Sequence, residues 1–418
     1  MSTATVISPP NHQSPITTLP SWEYLLETAR KYTDARRIRR VGQHPSTQPI
    51  PSSWDKLPAD GIAPVLLYRD SNSWCPFCER VWFALEEKGI PFTTEFINLS
   101  DKPKWYTDLV PTTLVPAVKI EGELVYESKD ILLALEKRFP EVPLLPSNPE
   151  ERAVADRWIE ESETNGFRDL AYQLLRNAPE NPEELEELKA KFEAQLDILE
   201  ANLDRYPSPF FLSEFSLVDI LYSPHLDRLA ANLPVYRGYH LRGNSRFPRI
   251  NAWFEAIAQR PAYQRSASDN TTNNLLLRRR FGIEPIGNPA PLDANRANLL
   301  ANRAEAAERL SDNHELAIAD ILKNSGVAAL AVDNNLEAVQ EIVDRHLRFL
   351  ANYLLYGNGE VLAGGNTGGK EGTGTPEAAI GAITFAYLRN RLCAPRDLSA
   401  GAATAFRFAA DKVLASLY

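Results

Sequence analysis

Two of the chain's three cysteines, Cys75 and Cys78, stand in the stretch SWCPFCERVW, residues 73–82. A CxxC pair can ligate zinc, staple a loop or exchange thiols with a disulfide, and each use needs different surroundings. Zinc asks for four ligands. There is no second CxxC, Cys393 stands alone and the six histidines lack ligand spacing, so no metal is expected. Three cysteines in 418 residues form no disulfide framework and point to a reducing compartment. Redox chemistry needs a thiolate. The apolar run PVLLYRD reads as a buried strand, and CPFCERVWFALEEKG reads as a helix with Pro76 at its first position and Gly89 just past its end. Cys75 then sits at a helix N-terminus, where unpaired N–H groups and the positive end of the dipole favour thiolate over thiol and make it the nucleophile. Cys78, one turn inside, is better shielded. The competing reading, a pair of ordinary core cysteines, is weighed down by the strand before the motif and the helix after it.

The elements that must position this sulfur follow at once. PFTTEFINL reads as a second strand, parallel to the first through a right-handed crossover. VPAVKIEGELVYES reads as a hairpin turning at Glu121–Gly122, and SKDILLALEKRF as a helix capped by Ser128 that buries Ile131, Leu132, Leu135 and Phe139. From about Asn148 to Tyr263 the pattern is helical throughout. Within it, Ser216 and Asp219 form a capping box, and Trp253 and Phe254 read as core.

Composition divides the chain further. Residues 1–60 form an N-terminal extension, Pro/Ser/Thr-rich at first and then amphipathic in SWEYLLETARKYTDARRIRR, with Ser21 as cap. Residues 61–145 hold the strands, 148–269 the helices, and 270–294, rich in Pro and Asn, read as a linker. Residues 295–418 return to helical spacing as a C-terminal extension of no assigned role. The stretch GGNTGGKE, residues 364–371, imitates a phosphate loop. It carries Glu371 where a magnesium-binding hydroxyl belongs, and eight of the 20 glycines fall between 357 and 374, so it reads as a flexible loop. Cys393 reads as buried. A net charge of −10 argues against nucleic acid as partner, and no apolar run is long enough to span a membrane.

Taken together, CPFC on the first helix of a βαβ, helix, ββα order, followed by VPAV and YES, resembles the thioredoxin-like domain of glutathione transferases, in their cysteine-type Omega-like and Lambda-like branch. Residues 148–264 resemble the all-helical second domain. The resemblance implies an α/β thioredoxin-like domain followed by an all-α domain, with glutathione as co-substrate and no metal. It makes Cys75 the residue that forms a mixed disulfide with glutathione. Lys102 is matched to the glycine end of the tripeptide, and Val115, before a cis Pro116, to backbone pairing with it. Glu127 and Ser128 are matched to the γ-glutamyl end, at a helix N-terminus; Phe77 is counted on the same side. Trp74, Phe167 and Tyr172 are expected near the acceptor.

Cysteine in place of an activating tyrosine or serine implies thiol exchange rather than conjugation. Cys78 departs from the small residue usual there and opens a two-thiol route, in which it resolves the intermediate. Long extensions around a CPxC transferase resemble the Iota class of photosynthetic organisms. The expected function is a glutathione-dependent thiol transferase or reductase acting on small-molecule or protein disulfides. The alternative is a binding protein for apolar or aromatic ligands that keeps the glutathione pocket with little turnover. Homodimerisation is expected from the resemblance unless the extensions cover that surface. A cytoplasmic location is expected, or the plastid stroma on the weak transit-like character of residues 2–22.

Overall fold

The computed structural model describes residues 19–33, 63–164, 166–357, 375–391 and 398–416. The Pro/Ser/Thr-rich start, the 364–371 glycine stretch and Cys393 lie outside the described residues. Two compact units are present. One holds residues 63–291 and 398–400; the other joins residues 19–33 to 292–357, 375–391 and 401–416.

The chain begins with α1 (Trp22–Arg30), whose first turn is capped by Ser21 accepting from the Tyr24 N–H. In the first unit, β1 (Val65–Asp70) leads through α2 (Pro76–Lys88) to β2 (Phe92–Ile97), which lies parallel to it. After α3 (Lys104–Leu109), β3 (Ala117–Ile120) pairs antiparallel with β1 and with β4 (Glu123–Tyr126), giving the order β2-β1-β3-β4. Val65 and Leu67 face one apolar cluster with Val81, Leu85, Ile131 and Leu135, whereas Tyr68 faces the other with Ile97, Tyr106 and Ala117. Burial on both faces explains why PVLLY is a continuous apolar run instead of an alternating one. The hairpin turns where expected, with Glu121 and Gly122 at φ 51° and 89°, the mirror-image turn that matches strand twist. Gly89 ends α2 at φ 62°, a conformation that side chains resist.

Next come α4 (Ser128–Arg138), α5 (Pro149–Thr164), α6 (Gly166–Arg176) and α7 (Pro182–Leu203). The central helix α8 (Leu217–Arg237) is buried on nearly every side. Its capping box forms as expected: Ser216 Oγ accepts from Val218 N–H and Asp219 Oδ2 from Ser216 N–H at 2.9 Å. Asp219 also accepts from Trp253 Nε1 at 2.9 Å, which ties α8 to α9 (Pro248–Ala258). Then follow α10 (Pro261–Ser266) and α11 (Asn270–Phe281). Residues 270–281, expected within a linker, are therefore helical. The helix was hidden because its buried face is mostly polar: Thr272, Asn273 and Asn274 lie inward beside Leu276 and Leu277, and Asn274 Nδ2 donates to the Ala231 carbonyl at 2.8 Å.

The second unit contains α12 (Ala294–Asn298), α13 (Leu300–Asp312), α14 (His314–Asn324), α15 (Leu336–Tyr356), α16 (Pro376–Arg389) and α17 (Ala400–Ser416). Here α1 packs against the C-terminal segment. Trp22 of α1 stacks on His314, with ring centroids 4.5 Å apart, and its Nε1 donates to Asp344 Oδ1 at 2.7 Å. Arg30 pairs with the buried Glu308 at 3.3 Å. Among the described residues no helix is long and apolar enough to cross a membrane.

Candidate active site

Cys75 is the N-cap residue of α2, in extended conformation and with no side-chain cap bond. Both residues are buried, Cys75 at 8% exposure and Cys78 at 2%, so Cys75 is the less deeply covered of the two. Both are free thiols. Cys75 Sγ lies 3.8 Å from the Val115 carbonyl oxygen. Burial, with the adjoining Cys75 sulfur, pushes the Cys78 thiol well above its ordinary value and keeps it protonated.

The loop that presents Cys75 is held from several directions. Asp70 Oδ2 accepts from Trp74 N–H at 2.7 Å, and Arg69 Nη1 donates to Ser73 Oγ at 2.8 Å, where Ser73 sits at φ 54°. From α8, Arg228 donates through Nε to the Trp74 carbonyl at 2.8 Å and through Nη1 to Glu79 Oε2 at 2.8 Å. Arg228 and Glu79 are both almost wholly buried, 3% and 4% exposed at their side chains. Burial raises the Glu79 carboxyl to about 7 even though Arg228 pulls it down. Arg228 thus places a cation within electrostatic reach of Cys75 while fixing its loop.

On the side expected for glutathione, the Val115–Pro116 bond is cis. Lys102 Nζ donates to the Thr113 carbonyl at 2.9 Å, so the lysine already folds back against the same loop. Glu127 is exposed, with φ 66°, and Ser128 is buried. Ser128, expected as the cap of its helix, is instead the first residue of α4; Glu127 takes the cap position without a side-chain bond. The reason is local geometry: the left-handed turn at Glu127 directs the chain into α4 one residue earlier. Ser128 Oγ accepts from Arg80 Nη1 at 3.4 Å, and Arg80 also pairs with Glu163 at 2.7 Å. Phe77 is partly buried beneath Arg80, whose guanidinium carbon is 5.0 Å from the ring centroid, and meets His225 edge-on.

Of the three rings expected near the acceptor, the structure groups two. Trp74 and Tyr172 are half-buried around Arg176. Phe167 is not with them: at 3% exposure it stacks on Phe192 inside the core, because the apolar face of α6 turns it toward α7. Phe281, at the end of α11, joins the group with its ring centroid 5.4 Å from that of Trp74. Tyr172 Oη lies 3.2 Å from His225 Nδ1. Burial, with Arg80, Arg228 and Arg168 nearby, holds His225 well below the ordinary imidazole value and therefore neutral.

Arg176, His225, Arg228 and Phe281 were not singled out from sequence. For His225 and Arg228 only a weak signal existed, since they stand three apart on one helix beside Leu221, Leu226 and Leu229. Among the described residues no group of three or more His, Cys, Asp or Glu is arranged to hold a metal.

Residues 74–138 match the family model of the glutathione S-transferase N-terminal domain and residues 182–256 that of the C-terminal domain. Protein IN2-1 homolog A of Oryza sativa subsp. japonica is 33% identical over 200 residues, 47% of this chain and 78% of that protein. Glutathione S-transferase DHAR2 of Arabidopsis thaliana is 34% identical over 166 residues, 40% of this chain and 71% of that protein. The crystal structure of glutathione transferase Omega 3C from Trametes versicolor aligns at 25% identity and TM-score 0.44, covering 60% of this chain and 92% of that one. With both domains matched, and two relatives more than 30% identical over most of their length, the chain belongs to the glutathione S-transferase family.

Proposed function

We propose that this protein is a cysteine-type, glutathione-dependent thiol transferase or reductase. Members of the family use glutathione as co-substrate. The observation that carries the reading is Cys75 at the N-cap of α2, the more exposed of two free thiols. The thiolate of Cys75 attacks the glutathione sulfur of a mixed disulfide; a Cys75–glutathione bond forms and the other thiol leaves with the electron pair and takes up a proton. A second glutathione thiolate then attacks that adduct, releasing glutathione disulfide and restoring Cys75. In sum the mixed disulfide is exchanged for glutathione disulfide: one acceptor thiol is released and one free glutathione thiol is consumed. Lys102, the Val115 backbone, Glu127, Ser128 and Phe77 line the tripeptide's side of this scheme.

The deep burial and raised value of Cys78 favour the one-thiol route, because a resolving thiol must first lose its proton. The long extensions support placing the protein in the Iota class, and its free thiols support a reducing compartment such as the cytoplasm or plastid stroma. We place disulfide-bearing small molecules or proteins as acceptors and a homodimer as the assembly.

The test is turnover of a glutathione mixed disulfide together with peptide masses after incubation with glutathione disulfide. Wild type should carry one glutathione, on Cys75; Cys75→Ser should lose turnover by at least ~1000-fold, and Cys78→Ser should keep it within about threefold. Undiminished turnover in Cys75→Ser, or an adduct found only on another residue, sinks the reading. Tight binding of apolar ligands with no adduct and no turnover would favour the binding-protein alternative.

A further inference from the structure

Arg176 closes α6 with its guanidinium carbon 4.0 Å from the Phe281 ring centroid, 4.2 Å from that of Tyr172 and 5.5 Å from that of Trp74. The side chain is partly buried. Its Nε is shut off from solvent and has no hydrogen-bond partner, and among the described residues no carboxylate pairs with it. By contrast, the neighbouring Arg80 and Arg228 are matched to Glu163 and Glu79. Burial pulls the Arg176 value down, the direction expected of a cation stripped of water without a counter-ion.

Two structural roles could explain such a residue, and neither suffices. A cation at a helix C-terminus favours the helix dipole by meeting the last carbonyls. Here the Leu174 and Leu175 carbonyls already accept from Arg237, at 2.8 and 2.7 Å. Stacking on aromatic rings satisfies the faces of a guanidinium but none of its five edge donors. A guanidinium ringed by aromatic groups and without a carboxylate partner among the described residues suits a planar anion bound through its terminal nitrogens. The place is right for an acceptor as well, since Trp74 adjoins Cys75 in the chain and Tyr172 lies within electrostatic reach of its sulfur.

We propose that Arg176, walled by Trp74, Tyr172 and Phe281, is an anion subsite for the leaving half of the acceptor. The substrate class is a glutathione mixed disulfide whose other thiol is a planar aromatic carrying a carboxylate or sulfonate. This rests on the thiol-exchange reading. When Cys75 bonds to the glutathione sulfur, the electron pair of the broken disulfide departs on the aromatic thiolate. Arg176 holds that fragment by its anion and favours the new negative charge.

The experiment compares two chromogenic probes on the full chain: glutathione disulfide-linked to 5-thio-2-nitrobenzoate, which is anionic, and to 2-thiopyridine, which is neutral. Release rates are taken for wild type, Arg176→Gln and Arg176→Lys. The anionic-to-neutral rate ratio should fall about tenfold or more in Arg176→Gln and recover in part in Arg176→Lys. An unchanged ratio overturns the proposal. So does a weaker grip on glutathione that affects both probes alike, which would assign Arg176 to the tripeptide. If wild type releases neither chromophore faster than Cys75→Ser, the exchange reading fails by itself, and calorimetry decides the subsite: 4-nitrobenzoate should bind about tenfold more weakly to Arg176→Gln, with 4-nitrobenzamide as neutral control. Equal affinities overturn the subsite. Should Arg176→Gln not fold, wild type alone must prefer nitrobenzoate over nitrobenzamide at low salt and lose that preference at high salt; no preference at low salt overturns the proposal.

Discussion

The residues expected on the two sides of Cys75 are set in place by different means. On one side Lys102, the cis Val115–Pro116 bond and the Glu127–Ser128 pair come from loops and element ends of a single α/β layer, close together in the chain. On the other side Trp74, Tyr172, Arg176, His225 and Phe281 arrive from the ends or faces of α2, α6, α8 and α11, up to two hundred positions apart in sequence. The first wall is backbone geometry, with an exposed carboxylate and a cis bond at its key points. The second is made of side chains, a buried ion pair and rings packed at a tilt. A backbone wall can be written as a short motif; a side-chain wall depends on helix packing, and so can differ between chains that share the first.

The comparison can be broken most forcefully at Arg228. If the acceptor side and the Cys75 loop depend on tertiary contacts, Arg228→Met should destabilise the protein by about 3–5 kcal/mol, because it leaves Glu79 buried and unpaired. The paired change Arg228→Met with Glu79→Met should restore most of that loss. Denaturant titration measures both, and a loss under ~1 kcal/mol in the single variant would show that the loop is held by other contacts.

A smaller effect is expected at the motif-built wall. Ser128→Ala removes a buried hydroxyl that meets Arg80, and should weaken glutathione by about tenfold, on the order of 1.4 kcal/mol, with little change in melting temperature. Glutathione KM and a melting curve check this; a large drop in melting with unchanged KM would make Ser128 a packing residue instead.

The mildest effect concerns pH. His225 stays neutral in the folded state well below the imidazole value of 6.5 that it regains on unfolding. The unfolded chain therefore binds the extra proton, and the stabilising contribution, complete above about pH 6.5, is lost as pH falls below it, at no more than ~1.4 kcal/mol per pH unit. His225→Gln should lose less stability than wild type between pH 7 and 5, as read by denaturant titration at each pH. Parallel pH dependences in the two proteins would show that His225 charges in place.

The legible parts of the fold share one property. The β1–α2–β2 unit, the hairpin at Glu121–Gly122, the Ser216–Asp219 box and the stop at Gly89 are each specified by residues a few positions apart, whose periodicity or turn chemistry acts over one or two turns of chain. The α11 helix was not legible, because Thr272, Asn273 and Asn274 on its inward face carry no apolar period, and Asn274 finds a partner in the Ala231 carbonyl of α8. Phe167 misled for a related reason: an aromatic near the right place in the chain can face the core or the cleft, and only the packing of α6 on α7 chose the core.

The terminal segments follow the same logic. An amphipathic helix at one end and helical spacing at the other were readable separately. That Trp22 would find His314 and Asp344, and Arg30 would find Glu308, was not, because complementary faces far apart in sequence carry no mark of being each other's partner.

By itself the sequence determined the thioredoxin-like order of elements, the helical domain after it and the place of Cys75 at a helix start. These are matters of short-range periodicity, capping and turn chemistry. The tertiary structure alone decided that Arg228 clamps the Cys75 loop, that Cys78 is buried too deeply to lose its proton easily, and that Arg176 lies among three rings with no carboxylate partner among the described residues. Burial and long-range pairing arise only when distant segments exclude water together, so they appear only in the folded chain.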